Sequence, residues 1–190
     1  MEDISLVTVV LMLPLVGLLL MMLFSRTEQA YKWAALVTSL VTFGVSLLLV
    51  RNFNTGVSGL QMVQNVAWIT ADSFTIRYYV GVDGISIWLV LLTTFIMPLA
   101  ILASFNPIKD RVRLYYMFML LMEWAMLGVF VAQDLFLFYI FWEVTLVPMY
   151  FLIGIWGAEE RIYAAVKFFL YTMAGSLLML LAILWLGNEA

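Results

Sequence analysis

The stretch LYYMFMLLMEWAMLGVFVAQDLFLFYIFWEVTLVPMYFLIGI, residues 114–155, decides the fold. As one helix it would be about 60 Å long at about 1.5 Å per residue, twice the thickness of a hydrocarbon layer. Its only polar break is Gln133-Asp134. The chain must therefore turn back there, which makes two membrane spans, 114–132 and 135–155, joined in a tight helical hairpin.

Working outward, apolar runs of similar length lie at 4–24, 33–50, 85–104 and 164–186. They predict an all-α membrane protein of about six transmembrane helices forming one bundle, with a long connection at 51–84. Composition agrees: 66% of the residues are hydrophobic, 11% are charged and the mean hydropathy is +1.09. A soluble domain carries about a quarter charged residues, so a water-soluble fold is excluded. The segment before the first run holds no basic cluster and no small-residue cleavage site, so residues 4–24 read as a span and not as a removable signal. In the connection, Phe74, Ile76, Tyr78 and Val80 alternate with Thr75, Arg77 and Tyr79, which predicts a short strand or hairpin.

With the amino terminus outside, Arg26, Lys32, Lys109, Arg111, Arg113 and Arg161 fall on the inner side, with Lys167 one turn into the sixth span. Only Arg51 and Arg77 fall outside. This is the bias that the positive-inside rule requires. The net charge of -3 and the lack of a basic run argue against nucleic acid. The chain has neither Cys nor His, so it lacks the usual ligands of haem, iron-sulfur clusters and structural zinc.

Two acids lie where acids are costly. Glu143 is about 12 Å from the outer end of the fifth span, and Glu123 sits at a similar depth from the inner side of the fourth. An ionised acid there costs about 2.5 to 3.5 kcal/mol, so each is expected to be protonated, hydrated or paired. Such a carboxyl suits a proton relay; the plainer alternative is a neutral, hydrogen-bonded packing acid. Tyr139 and Tyr150 share a helical stripe with Glu143, where they serve either as its hydrogen-bond partners or as an interfacial aromatic belt. Pro148 leaves the Val144 carbonyl without its helical partner and predicts a kink. Lys167, flanked by Tyr163 and Tyr171 at helical spacing, is either a buried cation or one that snorkels to headgroups. Thr172 and Ser176, with Gly175, suit close helix contact. Asp134 and Asp83 fit helix N-caps.

Three stretches carry a resemblance: Val82-Asp83-Gly84-Ile85-Ser86, the run FWEVTLVPMYFLIGIWG at 141–157, and AAVKFFLYT at 164–172. Together they closely resemble the subunit M (chain 4) family of the proton-translocating NADH-quinone oxidoreductase, respiratory complex I. The resemblance implies an antiporter-like membrane-arm subunit, in a bacterial cytoplasmic membrane, that moves protons while quinone is reduced elsewhere. It implies that NADH, FMN, iron-sulfur clusters and quinone are held by other subunits, and that the partners are the other membrane-arm subunits and the lipid bilayer. It implies that Glu143 is the essential acid of the fifth span, paired with a lysine on a seventh. It also implies about fourteen spans in two inverted repeats, so that this chain is expected to be the amino-terminal part of a larger bundle. The competing readings are a subunit of a multisubunit sodium/proton antiporter or membrane-bound hydrogenase, and an inactive truncated scaffold fragment.

Overall fold

The computed structural model describes residues 4–70 and 75–189, with side chains to residue 187. Phe74, Met1–Asp3 and Ala190 lie outside the described residues. Among the described residues there are six helices: α1 (Leu6–Phe24), α2 (Glu28–Asn52), α3 (Ser86–Ala103), α4 (Val112–Val131), α5 (Leu135–Trp156) and α6 (Arg161–Glu189). All six are long and apolar enough to cross a membrane.

Several helices outrun their apolar stretches, because a helix continues into the polar interface wherever its end is capped. The side chain of Thr27 accepts from the Ala30 amide and starts α2 at Glu28, five residues before the apolar run. Lys32 and Arg113, assigned from the apolar runs to inner loops, thus lie inside α2 and α4, and Arg51 lies in the last turn of α2. Lys32 Nζ donates to the Phe105 carbonyl at 2.5 Å, just beyond the end of α3, where carbonyls lack helical partners. At the opposite end of α3, Asp83 accepts from the amides of Ile85 and Ser86, and Ser86 Oγ accepts from the Asp83 amide. That reciprocal cap opens the helix.

The connection forms a two-stranded antiparallel hairpin, β1 (Gln61–Thr70) and β2 (Thr75–Val82), with Gln64 opposite Val80 and Val66 opposite Tyr78. Ile76, Val80 and Val82 are buried, as the alternation requires, but Gly81 on the opposite face is buried as well. The alternation fails there because β2 is wedged against the α4–α5 connection: Val80 bridges Ala132, and the Gln133 amide donates to the Tyr79 carbonyl at 2.8 Å. A second tie reaches α1, where Thr8 Oγ1 bonds Gln64 at 2.7 Å and lies 3.0 Å from the Tyr78 hydroxyl. The hairpin thus caps one end of the bundle.

Helix α4 is central and packs against α1, α2, α3 and α5, whereas α6 packs against α5. Two glycines permit the closest approaches. A Cβ on Gly17 would collide with Thr38 of α2, and one on Gly128 would collide with the Phe141 ring of α5. Gly175, expected at a close contact, has open space around it; its neighbour Ser176 is the buried residue.

The buried apolar residues of α1–α4 fall into two clusters. One, at the hairpin end, includes Leu11, Leu49, Val90 and Leu127. The other, at the far end, includes Met21, Leu36, Met97 and Leu120. Between them no large apolar side chain of these helices is buried among the described residues. The buried positions are Pro14 and Gly17 on α1, Ser39, Thr42 and Ser46 on α2, Thr93 and Thr94 on α3, and Glu123 and Ala125 on α4.

Candidate proton-relay site

The position of Glu143 is set from the hairpin end. Asp134 caps α5, its Oδ1 accepting from the amides of Phe136 and Leu137 at 2.9 and 3.0 Å, while Oδ2 accepts from the Arg77 amide at 3.3 Å. One carboxylate therefore locks both the start of the helix and its register against β2. Glu143 follows eight residues after Leu135, about 12 Å along the axis.

Glu143 is half-buried, and its Oε1 is buried without a hydrogen-bond partner. Tyr139, one turn earlier, interacts through its side chain with both Glu143 and Ser176 of α6. The acid thus lies toward the α5–α6 seam with one phenol beside it. Tyr150 is engaged elsewhere: its ring packs edge-on against Phe151 and Phe169, with centroids 5.3 and 5.5 Å apart. Pro148 is buried and α5 runs through it from Leu135 to Trp156.

Lys167 is not brought to Glu143. It lies on an exposed face of α6, where Nζ donates to the Tyr163 hydroxyl at 3.4 Å and sits 5.4 Å from that ring's centroid. Glu123 is fully buried, and neither carboxyl oxygen has a hydrogen-bond partner. It lies on the α4 stripe of Leu120 and Leu127 and so points into the α1–α4 bundle, away from Glu143. Across the α4–α5 contact, the rings of Trp124 and Phe141 meet edge to face at 5.1 Å. The buried Trp124 Nε1 is also without a partner.

A cavity of about 260 Å³ opens beside this site between α4, α5 and α6, lined by Met122, Met126, Val129, Phe130, Trp142, Thr145, Met149 and Phe168. Its walls are thioethers and rings, which suit acyl chains or a packed helix and not proton transfer. Sequence reasoning found both acids but missed the Ser176 contact of Tyr139 and the Gly128–Phe141 seat. Gly128 and Phe141, five residues before and seven residues after the Gln133-Asp134 turn, were the available signal.

Comparison with known proteins agrees with this architecture. The family described as NADH-ubiquinone oxidoreductase chain 4, amino terminus, matches residues 9–132, and that described as NADH:quinone oxidoreductase/Mrp antiporter matches residues 132–190. NADH-quinone oxidoreductase subunit M of Rhodobacter capsulatus is 47% identical over 94% of this chain and 35% of its own length. NADH-ubiquinone oxidoreductase chain 4 of Marchantia polymorpha is 38% identical over 93% of this chain and 36% of its own. The chain thus spans about a third of the length of these relatives. Among solved structures, a chain of respiratory complex I from Thermus thermophilus with bound NADH superposes with a TM-score of 0.78 at 28% identity, covering 94% of this chain and 35% of that one. A chain of the Mrp complex from Dietzia shares the fold, with a TM-score of 0.71 at 21% identity over 93% of this chain and 18% of that one. With nearly two thirds of its residues matched by the first family, this six-helix chain belongs to the NADH-ubiquinone oxidoreductase chain 4 family.

Proposed function

We propose that this chain works in the membrane arm of an NADH-quinone oxidoreductase and contributes to proton translocation coupled to quinone reduction, with Glu143 as the proton-carrying group. One observation carries the reading: a carboxyl sits in mid-span, half-buried, with one oxygen free of protein partners and a phenol beside it. An ionised acid in mid-span costs about 2.5 to 3.5 kcal/mol by insertion scales, and intramembrane acids mark proton relays for that reason. Tyr139 orients the acid through its hydroxyl, and Ser176 of α6 contacts that phenol in turn. The free Oε1 accepts a proton or water, and an approaching cation draws the proton away. Glu123, the second intramembrane carboxyl, takes part in translocation from inside the α1–α4 bundle and not through Glu143. Lys167, toward the end of α6 opposite the hairpin, places a positive charge at the inner interface. In this reading NADH, FMN, iron-sulfur clusters and quinone belong to other subunits; for the clusters, the chain lacks the usual Cys and His ligands. The amino terminus and the hairpin face the outer side of a bacterial cytoplasmic membrane.

The test is proton uptake and quinone reductase activity in vesicles that contain the assembled complex. Glu143→Ala should lower both by at least about 100-fold, the lower range for a group that transfers protons in the rate-limiting step. Glu143→Asp should retain a substantial fraction. Near-wild-type pumping by both variants would sink the relay.

A second reading, a subunit of a multisubunit cation/proton antiporter, is favoured by the shared description of the family matched at residues 132–190. Proton efflux driven by an imposed sodium gradient, without NADH or quinone, would decide for it.

A further inference from the structure

We infer that α1–α4 enclose a second protonic site, in which Glu123 binds a proton together with internal water, apart from the Glu143 face. The argument starts from the polar layer that separates the two apolar clusters. A layer of this kind in mid-bundle is costly for packing alone, since each position could hold a Leu or Val that would join the clusters. Instead, α2 and α3 present hydroxyls there.

The directions of those hydroxyls define what the layer can bind. Thr42 donates to the Thr38 carbonyl at 3.0 Å, and Thr93 to that of Leu89 at 2.9 Å. Thr94 lies within 3.0 Å of the Val90 carbonyl and 2.8 Å of Ser46 Oγ, which itself bonds the Phe43 carbonyl at 2.7 Å. The O–H groups are thus committed to their own helices and to each other, and the layer offers lone pairs. An ionised carboxylate is also acceptor-only. Glu123, fully buried with both oxygens unpartnered, therefore finds no donor around it as an anion. A neutral carboxylic acid supplies one O–H donor, and a water molecule supplies two; together they satisfy a surface made of acceptors.

No other ionisable side chain lies between the clusters on these four helices. The only ones facing this level from α5 are Glu143 and Tyr139, which lie toward the α5–α6 seam. The site is therefore chemically separate from the proposed relay, and its test does not depend on that relay working.

The test is infrared spectroscopy of the chain reconstituted in lipid nanodiscs. A carboxylic-acid carbonyl band should be present that shifts on exchange into heavy water, persists in Glu143→Gln and is lost in Glu123→Gln. Thr94→Val, which keeps the acid, should move the band to higher frequency and slow its exchange. Should Glu123→Gln fail to fold, carboxyl-isotope-labelled glutamate in the Thr94→Val and wild-type chains identifies the same band. Absence of any carboxylic-acid band removed by Glu123→Gln would overturn the proposal. So would a Glu123 band insensitive to heavy water, which marks a dry packing acid. Loss of the band when sodium replaces choline would likewise overturn it, because a metal cation would then be the occupant.

Discussion

Glu123 and Glu143 stand level on the two arms of one helical hairpin, each eight residues from the α4–α5 connection, yet they look away from each other. Glu123 points into the α1–α4 bundle and Glu143 toward α6, while Trp124 and Phe141 meet across the α4–α5 contact. Two carboxyls on one face at this depth would repel when ionised. On opposite faces, each meets its own surroundings.

The two tyrosines near Glu143 should separate by function. Tyr139→Phe removes the hydroxyl shared with Glu143 and Ser176 and should lower proton uptake by the assembled complex severalfold. Tyr150→Phe keeps its ring contacts with Phe151 and Phe169 and should leave uptake within about twofold of wild type, given that a lost hydrogen bond of about 1 kcal/mol is worth about fivefold. Equal losses in both variants would contradict the geometry.

The seat of Phe141 on Gly128 predicts a steric penalty. Gly128→Ala gains helix propensity of about 1 kcal/mol, but its methyl meets the ring and should cost more, leaving a net loss of about 1 to 3 kcal/mol. Thermal melting of the chain in detergent reads this loss, and Phe141→Leu in the same chain should recover part of it. Simple additivity of the two changes would show that the residues are uncoupled.

Asp134 joins α5 to the hairpin, so Asp134→Ala should destabilise the chain by about 1 kcal/mol through the lost cap, while Asp134→Asn keeps most of it. Hydrogen exchange locates the effect. Protection should fall at the amides of Phe136 and Leu137 and at that of Arg77, which shares the carboxylate. A loss confined to α5 would argue against the hairpin link.

Acid should loosen the start of α3. The Ser86 and Ile85 amides hold the Asp83 carboxyl below its ordinary value. Because its folded-state pKa is the lower one, the stabilisation is complete above its unfolded value of about 4 and is lost as the pH falls through the folded value. Asp83→Asn should flatten that part of the stability profile measured by acid titration of the thermal midpoint. An unchanged acid limb would mean the cap carries no net linkage.

Much of this protein was legible in its sequence because the bilayer imposes a length. Apolar runs of about 20 residues set the six helices, the Gln133-Asp134 break set the turn, and an acid in mid-run marked itself out. The ends were less legible: Thr27 and Glu28 start α2 in the interface, where hydropathy carries no signal. Facing was not legible at all. Helices that are apolar on every side give no amphipathic stripe, because lipid and protein interior are almost equally apolar solvents. Only packing decided that Glu123 turns inward, that Tyr139 meets both Glu143 and Ser176, that Lys167 stays with Tyr163, and that hydroxyls from α2 and α3 gather in one layer. Those outcomes depend on how each helix is rotated about its axis, which Gly17, Gly128 and the wedged end of β2 set through contacts far apart in the chain.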